Sequence, residues 1–434
     1  MRFRSSVVRM RALAVLGLSM LWLHGVRAEL LGEIRQGVTG AIPIAIVPFG
    51  GAAQSEADLA AIVAHDLELT GRFQALPEAE MLERPTLPHQ VHPSTWQSQG
   101  QEYLVVGQTQ PSGGGRFVAE FALMDVVRGD TLLEYRIPFS AGERRRTAHR
   151  IADLIYQQII GQAAGLAAPV AFVTTTGSGK DRRYLLQVAD AEGLEPETIL
   201  TSREPIMSPA WSPDGKRLAY VSFEDRRSAV FVQTLADGAR IKVSASTGIN
   251  GAPAWSPDGR ELALTLSKDG QPDIYVMDLA SRALRRVTDS RGIDTEPAWS
   301  PDGRMLVFTS DRGGRPQLYT VAAAGGEPKR LTFEGDYNAR GVFAPDGRSL
   351  ALVHGVSGSY RIAVMDLNSK VLRVLSNGPL DESPGFSPDG RRVLFSARNQ
   401  GVAQLVAVPV QGGPAQVLKV VGAEVRQPAW SPKD

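Results

Sequence analysis

No cysteine occurs anywhere in the 434 residues. That excludes disulfides, thiolate catalysis and cysteine-ligated zinc or iron–sulfur centres at once. Histidine is scarce too, with six residues, so there are few candidates for imidazole catalysis or metal ligation. An excess charge of one sign is also missing: 47 Lys and Arg stand against 46 Asp and Glu. Such a balance makes no electrostatic case for nucleic acid. Beyond the first 28 residues no run is long and apolar enough to read as a membrane span. What remains, 43% hydrophobic and 21% charged, is an ordinary globular composition, with length for two or three domains.

The first segment is built differently from the rest. Arg2, Arg4, Arg9 and Arg11 precede an apolar stretch from Ala12 to Leu23, and Val26-Arg27-Ala28 forms a small-x-small site. This reads as a secretory signal peptide over residues 1–28, cleaved between Ala28 and Glu29. The apolar stretch is too short to span a bilayer comfortably, and no cysteine follows the site to take a lipid. Five arginines and no acid leave with it, so the formal charge moves from +1 to −4. The expectation is an exported, soluble, mildly acidic protein.

The chain is dominated by one pentapeptide. Trp211-Ser-Pro-Asp-Gly215 returns at Trp255 and Trp299, as Phe343-Ala-Pro-Asp-Gly347, as Phe386-Ser-Pro-Asp-Gly390, and finally as Trp430-Ser-Pro-Lys-Asp434. The aromatics are 44, 44, 44, 43 and 44 residues apart. A period of about 40–45 residues marks a propeller array. Within one unit, Pro253-Ala-Trp255 is a short strand and Ser-Pro-Asp-Gly a tight turn, where Pro presets φ, Asp bonds local backbone and Gly takes positive φ. Glu261–Leu266, Asp273–Asp278 and Leu284–Val287 supply three more strands, and four strands make a blade. Val170–Thr175, Tyr184–Ala189 and Glu197–Leu200 form a unit without an inner strand, while Arg426–Ser431 is an inner strand without a unit. Together they complete a sixth blade and close the ring, which leaves no free sheet edge.

Residues 29–165 lack the repeat and read as a small α/β domain ahead of a propeller over 166–434. Ile42–Phe49 is a buried strand. Ala57–Leu69 has helical apolar spacing interrupted by Asp66, with Ser55 and Asp58 as an imperfect capping box and Gly71 as its stop. A polar, Pro-rich loop spans Pro85 to Gly100. Glu102–Gly107 is a strand, Phe117–Met124 and Thr131–Arg136 form a hairpin, and Arg146–Ala163 is a second helix. The fold class is thus an all-β six-bladed propeller preceded by a small α/β domain.

Motifs that could suggest chemistry have simpler structural readings. Gly113-Gly-Gly115 and Gly177-Ser-Gly-Lys180 join strands and lack Walker spacing. Gly355-Val-Ser-Gly-Ser359 departs from a nucleophile elbow at its fifth position. His89 and His92 have no third ligand nearby in sequence, and His354 is the lone propeller histidine. Asp214, Asp258, Asp302, Asp346 and Asp389 are accounted for by their turns. No cofactor and no metal is implied. The loops just before each aromatic, by contrast, differ from repeat to repeat. They lie on the face opposite the Pro-Asp-Gly turns, and that face is the candidate binding surface. Glu296, Asp381 and Glu382 on it are offset by Arg340 and Arg426, a mixture suited to protein recognition. The alternative is a propeller hydrolase or a peptidase-accessory domain.

Several stretches together carry a resemblance: Pro43-Ile-Ala-Ile-Val-Pro-Phe49, Met207-Ser-Pro-Ala-Trp-Ser-Pro-Asp-Gly215, Asn250-Gly-Ala-Pro253, Tyr275-Val-Met-Asp-Leu-Ala280, Thr295-Glu-Pro297, and Thr309-Ser-Asp311 with Gly314-Arg-Pro-Gln317. With the signal segment and the N-terminal domain, the chain resembles the TolB family, periplasmic propeller proteins of the Tol-Pal cell-envelope system. The resemblance implies a non-catalytic scaffold in the Gram-negative periplasm that supports outer-membrane integrity and constriction at cell division. It implies that the propeller face holds the lipoprotein Pal through Met207, Ser208, Asn250, Gly251, Ala252 and Asp294. Thr295, Glu296, Asn338, Arg340, Asp381 and Glu382 complete that face. It further implies that the mature N-terminus (Glu29, Leu30, Leu31, Gly32, Glu33, Ile34, Arg35) binds the TolA C-terminal domain, although this start departs from the family's alternating pattern. Other outer-membrane proteins are further implied partners, and the expected state is a monomer.

Overall fold

A computed structural model describes residues 40–51, 59–399, 401–420 and 424–432. The signal peptide, its cleavage point at Ala28 and Glu29, the segment Glu29–Arg35, the Ser55/Asp58 cap, and Lys433 and Asp434 lie outside the described residues.

The N-terminal region is a mixed sheet. Its strands are β1 (Ile42–Ile46), β2 (Gly50–Gly51), β3 (Phe73–Ala75), β4 (Tyr103–Gly113), β5 (Arg116–Asp125) and β6 (Asp130–Ser140), in the order β3-β1-β4-β5-β6 with β2 on β4. β1 runs parallel to β3 and β4, and the β4–β5–β6 pairings are antiparallel. Helices α1 (Leu59–Leu69) and α3 (Arg144–Ile160) cover one face through Leu59, Val63, Leu67, Ile151 and Ile155. α3 ends where Gly161 turns left-handed at φ 84°, as a helix C-terminus favours.

Two N-terminal expectations change. The segment 85–100 is not only loop: it contains a 3₁₀ turn (Pro88–Gln90) and the short helix α2 (Pro93–Ser98). Trp96 of α2 is fully buried against Val47, Leu104 and Val106 on the sheet's other face. One side chain supplies the burial that the polar composition concealed. Asp66 does not break the apolar face of α1; it is itself buried, against His149.

From Val170 the chain builds six four-stranded sheets. Blade 1 is typical: Ile206–Trp211, Arg217–Ser222, Ala229–Thr234 and Arg240–Ser244. The inner strands of blades 2 to 5 are Asn250–Trp255, Asp294–Trp299, Tyr337–Phe343 and Asp381–Phe386. The sixth sheet has the order Glu424–Trp430, Val170–Thr176, Arg183–Ala189, Glu197–Ser202. The last strand therefore pairs with the first and closes the ring, Trp430 opposite Val170.

Both halves of the pentapeptide are structural. In the turn, Ser212 Oγ donates to Asp214 Oδ1 at 2.5 Å and accepts from Arg217 N at 2.9 Å, while Gly215 sits at φ 69°. Ser256/Asp258, Ser300/Asp302 and Ser387/Asp389 repeat the bond. The serine hydroxyl, ahead of the other influences, holds Asp214, Asp258 and Asp302 below the ordinary carboxyl value. The aromatic is a wedge between blades. Indole Nε1 of Trp255 donates to Ala210 O at 3.1 Å, Trp299 to Ala254 O at 3.1 Å, and Trp211 to Ala429 O at 2.9 Å, each on the preceding inner strand.

Trp299→Phe keeps an aromatic wedge of the kind found at Phe343 and Phe386 but removes this bond. It is expected to cost about 1 kcal/mol, whereas Trp299→Ala costs about 3–5 kcal/mol by leaving a cavity. Equal shifts in denaturation midpoint for the two variants would contradict the wedge.

Candidate interaction face

The inner strand of each blade is not a regular strand. Its pairing with the second strand slips once: between Met207 and Ala210, Gly251 and Ala254, Thr295 and Ala298, Ala339 and Val342, Glu382 and Gly385, and Arg426 and Ala429. At each slip a non-glycine residue sits in the left-handed region: Ser208 (φ 51°), Ala252 (46°), Glu296 (55°), Arg340 (52°), Ser383 (60°) and Gln427 (52°). Each stands three positions before its aromatic. A bulge leaves one residue unpaired and re-aims its side chain. Repeated six times, it places six different residues around the mouth of the central channel, a space of about 360 Å³ walled below them by Pro209, Pro253 and Pro297.

Left-handed residues cost about 1–2 kcal/mol each, and the free amides need acceptors. Side chains from the preceding blade accept from them. Arg340 N donates to Thr309 Oγ1 at 3.0 Å, Glu296 N to Thr265 Oγ1 at 3.3 Å, and Ser208 N to Gln427 Oε1 at 2.8 Å. One arc of the mouth is charged. Arg340 Nε donates to Glu296 Oε1 at 2.6 Å and its Nη1 to Ser383 Oγ at 2.5 Å, while Thr309 Oγ1 donates to Glu296 Oε2 at 3.0 Å. The other arc (Gln427, Ser208, Ala252) is neutral.

The structure divides the twelve residues expected on this face. Ser208, Ala252, Glu296 and Arg340 are mouth residues, and Met207, Gly251, Thr295 and Glu382 stand one position earlier, exposed or half-buried. Asn250, Asp294, Asn338 and Asp381 are buried to 1% exposure or less. They pin the inter-blade loops. Asn250 Oδ1 accepts from Ser244 Oγ and Ser246 N, and Asp294 accepts from Ser310 Oγ and from Arg312 Nη2 at 2.6 Å. Asn338 Nδ2 donates to Gln317 Oε1 and Glu334 O, and Asp381 accepts from Ser376 Oγ and Gly378 N. Ser383 and Gln427 also belong to the mouth and were not among the twelve. Counting three positions back from every aromatic would have found them.

An apolar rim surrounds the mouth. Met207, Ile249, Ile293, Val356, Leu380 and Val402 are each 39–51% exposed, at strand ends and in the loops of this face. Clustered exposed apolar residues mark protein-interaction surfaces. The opposite face is partly covered by the N-terminal region: Arg391 Nη1, beside a Pro-Asp-Gly turn, donates to Tyr156 Oη at 2.6 Å. His354 is buried with Nδ1 on Asn338 Oδ1 at 2.8 Å, and burial lowers its pKa. Among the described residues, no group of three or more His, Asp and Glu is placed to hold a metal, and no helix is long and apolar enough to cross a membrane.

Comparison with known proteins places this architecture. Residues 32–132 match the profile of the TolB amino-terminal domain, and residues 156–434 that of the TolB beta propeller domain. The Tol-Pal system protein TolB of Methylococcus capsulatus is 64% identical over 405 residues, covering 93% of this chain and 95% of that protein. That of Thioalkalivibrio sulfidiphilus is 57% identical over 413 residues, 94% and 95%. The crystal structure of TolB from Acinetobacter baumannii superposes with a TM-score of 0.81 at 41% identity, over 91% of this chain and 97% of that one.

If the bulges are strained, relieving one gains stability where little side chain is lost. Ala252→Gly is expected to raise the denaturation midpoint by the equivalent of up to about 1 kcal/mol. A lowered midpoint would show that the left-handed geometry at Ala252 carries no strain.

Proposed function

Because this chain belongs to the TolB family and is therefore a component of a Tol-Pal system rather than an enzyme, we propose that it is a periplasmic scaffold that binds Pal at the channel mouth and TolA through its mature N-terminus. The observation that carries the reading is the six-membered ring of left-handed residues. Its frame is identical in every blade, its side chains are not, and it faces away from the N-terminal region. A purely structural array needs no such variety. The apolar rim supplies desolvation and the Glu296–Arg340 arc a polar specificity element, the usual division between the core and rim of an interface.

The buried Asn250, Asp294, Asn338 and Asp381 serve this surface by holding its loops, so contact falls to Met207, Ser208, Glu296, Arg340, Glu382 and their neighbours. Segment Glu29–Arg35, freed by cleavage after Ala28, adds to an edge of the TolA C-terminal domain as an extended chain. A signal peptide over residues 1–28 delivers the protein to the periplasm, where it acts as a monomer. Other outer-membrane proteins are further partners, and the cellular roles are envelope integrity and constriction at division. Two sites on one chain allow coupling, since each ligand shifts a shared equilibrium by its differential affinity.

Glu296→Lys puts two cations side by side at the mouth and is expected to weaken retention of a soluble Pal domain tenfold or more, equivalent to about 1.4 kcal/mol or more. Unchanged retention by a folded variant removes the mouth from the interface. Deleting residues 29–35 is expected to abolish TolA-domain binding and spare Pal binding. Titrating the TolA domain with and without saturating Pal tests the coupling, and equal affinities would exclude it.

A further inference from the structure

The contact between the N-terminal region and the propeller is organised around one buried imidazole. His149 of α3 is 1% exposed. Its Nδ1 lies 2.6 Å from Asp66 Oδ2 on α1, and its Nε2 lies 3.2 Å from Asp190 Oδ2. Asp190 follows the strand Arg183–Ala189 of the closing blade. Ionised carboxylates only accept hydrogen bonds, so a ring held at both nitrogens by carboxylates carries both protons and a positive charge. Arg145, one helical turn earlier, donates Nε to Asp190 at 2.7 Å and Nη2 to Glu192 at 2.6 Å. His65 of α1 meets Glu192 at 2.9 Å. Lys419 N donates to Glu192 O at 2.8 Å, and Arg392 of blade 5 lies within electrostatic reach of Asp66 and Asp153. The charged groups around the imidazole are therefore Asp66 and His65 from α1, Arg145 and Asp153 from α3, Asp190 and Glu192 from the closing blade, and Lys419 and Arg392 from blade 5.

We propose that the His149 imidazolium is a proton-operated clasp: while charged it ties Asp66 to Asp190 and holds the N-terminal domain on the propeller, and its deprotonation at alkaline pH lets the domains separate before either unfolds. A buried charge persists only when paired, and here the pairing joins the N-terminal region to the propeller. Burial alone would lower the pKa of His149, but hydrogen bonds to Asp190 and Asp66 and the two carboxylate charges outweigh it and raise it to about 9. A folded-state pKa above the free value of 6.5 means that the clasp contributes fully below pH 6.5 and is lost as pH rises through about 9. On the acid side Asp190, despite its burial, is held below the ordinary carboxyl value by His149 and Arg145, and Glu192 by the hydrogen bond from His65. Asp66 differs: burial pushes its carboxyl above the ordinary value although the hydrogen bond and charge of His149 oppose this, so acid acts on the Asp66 end of the clasp before the Asp190 end, while alkali removes the imidazolium itself. Once it is open, the bonds of Arg145 to Asp190 and Glu192, of His65 to Glu192 and of Arg391 to Tyr156 remain, with the covalent connection, as the tether. The proposal does not depend on what binds at the mouth or the N-terminus, although any coupling between them has to cross this contact.

The natural absence of cysteine makes the test direct. Spin labels at Glu134→Cys and Lys370→Cys, both exposed, report the distance between the two domains in the full mature chain. A narrow distribution is expected to pH 8, broadening by pH 10 with both domains still folded by circular dichroism. His149→Gln and Asp190→Asn are each expected to be broad at pH 7 and independent of pH. A wild-type distribution that stays narrow to pH 10.5, or variants with the wild-type profile, would overturn the proposal. If His149→Gln does not fold, Asp190→Asn carries the comparison. Ring ¹⁵N shifts of the wild type give a second reading: a neutral imidazole at pH 7.5 overturns the clasp outright.

Discussion

Six times around the ring, the inner strand breaks its own ladder. The left-handed residue three positions before each aromatic is the constraint on which both fold and candidate site depend. In front of it, the inter-blade loop arrives from the rim. Behind it, Pro or Gly and a small residue bring the strand in beside the next blade, close enough for an indole N–H to reach the neighbouring carbonyl. A regular strand would alternate its side chains between the two faces of the blade. The bulge turns one residue per blade toward the axis instead, so one backbone device both packs the ring and furnishes the mouth.

The two faces have separate work. The Pro-Asp-Gly turns repeat the same hydroxyl–carboxylate bond in blades 1, 2, 3 and 5, and the N-terminal region is seated beside the turn of blade 5. The other face carries loops pinned from below by buried Asn and Asp and topped by exposed aliphatic residues. Buried polar groups that are hydrogen-bonded rigidify a surface, so the variable loops rest on a stiff base, Asp381 Oδ1 being the one buried oxygen of the four side chains left without a partner among the described residues. In the charged arc the guanidinium of Arg340 links three consecutive blades, through Glu296 on one side and Ser383 on the other.

Much of this was legible in the sequence, and for local reasons. The 44-residue period, the turn chemistry and the strand alternation concern residues close along the chain. The closing blade was legible by subtraction, one unit lacking an inner strand and one inner strand lacking a unit. The readings that changed share a cause. α2 looked like loop because a single tryptophan pays for its burial. Asp66 looked like a flaw in a helix because its partner, His149, lies 83 positions away. Asn250 and Asp294 looked like surface because their type is usually solvated, whereas paired neighbours let them sit inside.

What the sequence by itself determined is the repeating unit: a turn of Ser, Pro, Asp and Gly, an aromatic ahead of it, and a spacing that admits six copies. The family follows from the same residues. Only the tertiary structure decided which side chains face the axis, because a one-residue slip in register transfers a residue from one face of a strand to another and depends on the second strand and the preceding blade. Only it brought Asp66, His149 and Asp190 together, because a buried charge takes its partners from whatever the fold places beside it, irrespective of their order along the chain.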